Sequence, residues 1–233
     1  LAIKNARWIV QRQITNDGKL FRTYKNGNST INAFLEDYAH VICAFIELYE
    51  VTFDSEWLEK ASQLTEITLK EFHDEKSKMF FFTSNSTQLI ARKMELNDNV
   101  LPASNSVMAH NLFRLSHLYY NNEFKLIAEQ MLANIYDGME MYGSGYSNWG
   151  SLLLNIVNNY YHVSIMGNES QALNLNLLKN YLPNVLCAGG NDLKLPVLAD
   201  KKIENETIIY VCYDGTCLSP VKNIEEVIRL VIQ

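Results

Sequence analysis

Two kinds of helical segment alternate along most of this chain, and that alternation limits the folds open to it. Residues 34–50 read FLEDYAHVICAFIELYE, and Leu35, Tyr38, Ile42, Phe45 and Tyr49 recur at steps of three and four, the period of a helix. Ala39, Val41, Ile46 and Leu48 add a second apolar face, so this helix must be packed on both sides. Residues 55–72, SEWLEKASQLTEITLKEF, behave differently. Trp57, Ala61, Leu64, Ile67 and Phe72 form one stripe, while Glu56, Glu59, Lys60, Gln63, Glu66 and Lys70 face water. A buried helix is therefore followed by an exposed one. The pair returns as a mainly apolar 105–119 and an amphipathic 123–139, and 149–160 is again mostly apolar. With a further helix over 1–13, the pattern predicts a toroid of αα-hairpins, about half of a complete ring.

The rhythm changes after Tyr160. YYHVSIMG, NVLCAGG and ETIIYVCYD read as strands, with helices predicted over 169–182 and 223–233. Strands alternating with helices imply a small α/β layer. The chain thus divides into a helical-hairpin part, 1–160, and an α/β subdomain, 161–233, with no Pro- or Gly-rich linker between them. The expected fold is mainly α: a partial (α/α) toroid with a small C-terminal α/β appendage.

A net charge of −6 argues against nucleic acid or an anionic membrane as a partner, and no basic block offsets it. No run of 18 apolar residues suggests a transmembrane helix. The chain opens LAIKNARWIV, already inside an amphipathic pattern, which leads us to expect a piece of a longer polypeptide. Cys43, Cys187, Cys212 and Cys217 are too few and too scattered for a disulfide framework, so a reduced, cytoplasmic setting is the expectation.

Candidate sites gather at the mouths of the buried helices. Glu36 and Asp37 occupy the first turn of one, where acidic groups either stabilise the helix dipole or face a cavity. Adjacent helical residues point about 100° apart, so the two cannot by themselves form an opposed acid/base pair. Asp98 and Asn105 lie in LNDNVLPASNSVMAH, where Ser104, Asn105 and Ser106 either cap a helix or serve a ligand. Tyr24, Tyr38 and Trp149 are candidate stacking platforms, the last within the glycine-rich YGSGYSNWGS. His40 and His110 have no metal-ligand spacing and read as core histidines, so no metal is expected. Cys212 and Cys217, in CYDGTC, read either as buried small hydrophobes or as a redox pair brought together by the turn.

The stretches FLEDYAHVICAFIELYEVTFDSEWLEKA, LPASNSVMAHNLFRLSHL and YVCYDGTCLSP resemble, in this order, the C-terminal third of the thioredoxin-domain-containing, spermatogenesis-associated-protein-like family. The resemblance spans essentially the whole chain. It implies an N-terminal thioredoxin-like domain outside this chain and a six-hairpin (α/α) barrel similar to N-acylglucosamine 2-epimerases and many glycosidases. This sequence departs from the family's Pro-Ser-Gly-Asn-Ser in having Ser104 in place of glycine, and the paired histidines of sugar epimerisation do not map onto His40 or His110.

On the enzymatic reading the protein acts on a carbohydrate by acid/base chemistry. Glu36 or Asp37 is then the titrating group, Asp98 and Asn105 hold hydroxyls, and Trp149, Tyr24 or Tyr38 is the platform. No cofactor is called for. Competing readings are a non-catalytic scaffold for the thioredoxin-like domain and a redox role through Cys212 and Cys217. Half a toroid exposes apolar flanks. The expected partner is therefore the missing half of the barrel or a second copy of the chain.

Overall fold

The computed structural model describes residues 1–87, 89–190, 195–199, 201 and 206–232. Helix α1 (Ala2–Arg12) leads into a small hairpin, β1 (Phe21–Lys25) and β2 (Asn28–Asn32). The two strands pair antiparallel, and Asn26 and Gly27 close them with positive φ angles. Two helical hairpins follow: α2 (Leu35–Thr52) with α3 (Ser55–Phe72), and α4 (Ser104–Tyr119) with α5 (Asn122–Met141). A short 3₁₀ turn, Gly143–Tyr146, feeds α6 (Ser147–Val157).

The two hairpins turn by the same device. Phe53 (φ 55°) and Tyr120 (φ 51°) each end a helix in the left-handed region. The next residue, Asp54 or Asn121, then caps the following helix by accepting the N–H of Glu56 or Phe124. Helix α2 packs between α3 and α4, and Leu35, Ala39, Ile42, Phe45 and Ile46 are wholly buried. Helix α4 is buried nearly all round, as its apolar sequence requires. Helix α6 departs from the expectation of a buried segment. Trp149 and Leu152 are inside, but Leu154 and Val157 are more than three-fifths exposed, so one flank of the helical layer is bare.

The C-terminal layer is a four-stranded sheet of order β4-β3-β5-β6, from β3 (Tyr161–Met166), β4 (Val185–Gly190), β5 (Ile208–Tyr213) and β6 (Thr216–Cys217). Strand β3 pairs in parallel with β4 and antiparallel with β5, and every residue in it is buried. Helices α7 (Ser170–Leu177) and α8 (Ile224–Val231) cover one face through Leu177, Ile224, Val227 and Val231 against Tyr161, Val163 and Ile165. On the other face Met166, Leu186 and Ala188 join the core of the helical hairpins. The predicted helix 169–182 stops at Leu177, where the Asn180 amide turns back onto the Asn176 and Leu177 carbonyls. Among the described residues no helix is long and apolar enough to cross a membrane.

Candidate functional site

An arginine inside an apolar helix needs a partner, because a guanidinium is rarely buried alone. Arg114, in the middle of α4, has two. Its Nη1 lies 2.7 Å from Glu47 Oε1, and its Nη2 is hydrogen-bonded to Glu50 Oε2, both on α2. Glu50 is buried. Its second oxygen accepts the N–H of Cys187 on β4 at 2.8 Å, so the pair ties the helices to the sheet. Burial pushes the Glu50 carboxyl up, against the pull of Arg114. Burial also works against the Arg114 charge, but Glu50 and Glu47 more than offset it, and Arg114 stays protonated.

These groups stand in a cleft of about 640 Å³ between the helical layer and the α/β layer. His110, Asn155 and Tyr160 line it from the helical side, and Tyr181 and Asn184 from the other. His110 Nε2 is 2.8 Å from the Asn148 carbonyl, and burial lowers the imidazole's affinity for a proton. Burial likewise raises the Tyr160 phenol. The cleft therefore combines one exposed carboxylate, Glu47, with a fixed cation, neutral polar groups and aromatic surface.

A second cleft, of about 330 Å³, is lined by Arg22, Glu36, Asp37 and His40. Here Glu36 and Asp37 converge on one guanidinium: Arg22 Nη1 is 2.5 Å from Glu36 Oε1 and 2.9 Å from Asp37 Oδ2. Asp37 Oδ2 also accepts the Phe34 N–H, which caps α2. Two carboxylates aimed at one cation do not face each other across a bond to be cleaved.

The structure brings Tyr38, Asp98, Asn105 and Trp149 into the interior rather than to a rim. Asn105 is fully buried; its amide accepts the Phe80 N–H and donates to the Phe80 and Glu95 carbonyls. Asp98 Oδ1 accepts the Ala103 N–H and the Ser106 hydroxyl, and its Oδ2 accepts the Asn148 N–H. One carboxylate thus fastens the starts of both α4 and α6. Trp149 is fully buried and donates Nε1–H to the Leu96 carbonyl. The Tyr38 hydroxyl accepts the Leu20 N–H inside the core. Tyr38, Asn105 and Trp149 are at most 3% exposed, so they offer little surface to a ligand. Tyr24 is partly exposed but lies edge-on to Trp8, 5.0 Å between ring centroids. The small polar groups at the start of α4 are drawn into an internal network, in which Asp98 and Glu95 accept the Ala103 and Ser104 N–H groups and Asn105 ties the helix to Phe80.

Sequence reasoning missed Arg114, Glu47 and Glu50. The signal was the lone arginine in VMAHNLFRLSHLYY. Cys212 and Cys217 are joined in a disulfide, and Cys43 and Cys187 carry free thiols. Among the described residues no three His, Cys, Asp or Glu side chains are grouped to hold a metal.

The chain matches no protein-family profile. It is similar to spermatogenesis-associated protein 20 of Rattus norvegicus, 27% identical over 240 residues, covering 94% of this chain and 30% of that protein. The human protein of the same name is 26% identical over 213 residues, covering 85% of this chain and 27% of its own length. The mouse protein is 37% identical over 95 residues, 40% of this chain and 12% of its own length. Homologues of that name therefore cover this chain. The chain spans less than a third of the length of the curated relatives it matches.

Proposed function

We propose that the helical hairpins are part of the wall of an (α/α) toroid, and that the wall binds a sugar on which acid/base chemistry is carried out. The observation that carries this reading is the convergence of Glu47, His110, Arg114, Asn155 and Tyr160 on one 640 Å³ cleft. Neutral hydroxyl-rich ligands suit a site where a paired cation and carboxylate offer donors and acceptors beside an aromatic face. The bare flank of α6, with Leu154 and Val157 exposed, fits a wall that continues beyond this chain. Glu47 is the carboxylate best placed to exchange a proton in this cleft, with Glu36 its counterpart in the smaller one.

A second reading, a scaffold without chemistry of its own that holds a thioredoxin-like domain, is favoured by one observation. Asp98, Asn105, Tyr38 and Trp149 all spend their polar atoms on internal hydrogen bonds. Saturation-transfer NMR with a panel of neutral mono- and disaccharides separates the two. The sugar reading expects transfer to at least one sugar, abolished by Asn155→Ala together with Glu47→Gln. Absence of transfer to every sugar, in this chain and in the longer protein, would leave the scaffold.

A further inference from the structure

We propose that Cys212 and Cys217 form a thiol–disulfide exchange site that accepts two electrons from a dithiol. This goes beyond the sugar reading and does not depend on it. The two cysteines are directly opposed across the β5–β6 ladder and joined through a tight turn in which Asp214 and Gly215 both have positive φ. That is the geometry of a two-residue hairpin, and it holds the residues opposite each other whether or not the sulfurs are bonded.

Three features separate this disulfide from a structural staple. It closes a loop of only five residues' separation, so it removes little freedom from the unfolded chain. It sits on a two-residue strand at the sheet's edge, where Cys217 and the turn residues Tyr213–Thr216 are exposed while Cys212 is buried. A nucleophile thus has access from one side. The free thiols are also kept apart: Cys187 is buried on β4, beyond the central strand from β5, and burial holds its thiol well above the ordinary range. It is a poor competitor for the exchange.

The chemistry is balanced by the dithiol alone. One of its thiolates attacks Sγ of Cys217, the Sγ–Sγ bond breaks, and the electron pair leaves on Sγ of Cys212, which takes up a proton. The second thiol of the donor then attacks the mixed disulfide, releases Cys217 and departs as the oxidised, cyclic or paired disulfide. Cys212 leaves beside an imidazole. It is the cross-strand partner of His162, on the same face of the sheet, and His162 Nε2 is 2.8 Å from His117 Nδ1. Because the hairpin keeps the reduced thiols opposed, the oxidised dithiol re-forms the bond readily, taking the two electrons back as it returns to the dithiol.

The test is a redox titration of the native chain in mixtures of reduced and oxidised dithiothreitol, quenched with an alkylating reagent and counted by mass spectrometry. We expect Cys212 and Cys217 to be labelled together in one two-electron transition, with circular dichroism unchanged and with full reversal when dithiothreitol is exchanged for its oxidised form. With oxidised glutathione as the disulfide, the Cys217 thiol of a Cys212→Ser variant should form a mixed disulfide and release reduced glutathione, and the Cys212 thiol of Cys217→Ser should do so at least tenfold more slowly. Labelling of the pair only under denaturing conditions would overturn the proposal. So would finding both as free thiols after equilibration with oxidised dithiothreitol, or mixed-disulfide formation at equal rates in the two variants.

Discussion

Arg114 and Glu50 form an ion pair between α4 and α2 in which the two side chains are only 12% and 10% exposed. Removing one member of such a pair strands the other charge in a low-dielectric setting. Arg114→Leu leaves Glu50 with a single backbone N–H, and urea unfolding should show a loss of about 3–5 kcal/mol. Glu50→Gln keeps the volume and leaves Arg114 with Glu47, so its cost should be about 1–3 kcal/mol. Equal losses in the two variants would mean that the pair is not the unit that matters.

Asp98 supplies a cap to two helices at once, through the Ala103 and Asn148 N–H groups. A lost cap costs about 1 kcal/mol, so Asp98→Ala should lower stability by roughly 2 kcal/mol. A sugar-binding role would add a loss of affinity measured in the same protein. We expect none, and a fall in affinity without a fall in melting temperature would restore Asp98 to the binding site.

His117, half-buried, and His162, buried, share a hydrogen bond. Burial, helped by His162 and Lys125, lowers His117 to about 3, and burial, helped by Lys201, lowers His162 to about 4. The unfolded chain, with ordinary histidines near 6.5, then binds protons that the folded chain does not. Stability from this pair is fully present above about pH 6.5 and is lost as the pH falls towards 4 and 3, by on the order of a few kcal/mol. The check is urea unfolding at pH 7.5 and pH 5 in the native chain and in His162→Phe. The variant should lose much of the pH dependence, and an unchanged slope would assign it elsewhere.

The helices were legible because burial imposes the 3.6-residue period directly on the side chains. Tyr38, Ile42, Phe45 and Tyr49 are inside, as their spacing requires. The candidate site was harder for the same reason. Arg114 and Glu50 are 64 residues apart, and their pairing is a property of how α2 crosses α4, which periodicity does not encode. Capping and ligand binding also draw on the same small polar side chains. Asn105 and Asp98 could be placed at a helix start from the sequence, but only the packed loop 95–98 shows their atoms consumed. Strand β6, two residues long, carries no alternation at all. The Asp214-Gly215 turn was its one readable mark.

Gly189 lies on β4 against the Phe53 ring at the end of α2. A Cβ there would lie 2.3 Å from the Ile165 carbonyl oxygen and 2.6 Å from the Phe53 ring. The first neighbour is the backbone of β3, paired with β4 at this register, and cannot yield without opening the ladder. Gly189→Ala should therefore cost roughly 1–3 kcal/mol, read by urea unfolding. Gly190→Ala, one residue on, meets only Phe53 at 3.5 Å, but its φ of 96° strains any side chain, by about 1 kcal/mol. The two mechanisms separate in a double variant. Shortening Phe53 to alanine frees the ring side of Gly189 but leaves the Ile165 oxygen in place. Phe53→Ala should thus recover only part of the Gly189→Ala loss, and complete recovery would mean that the sheet, not the ring, is the side that gives way.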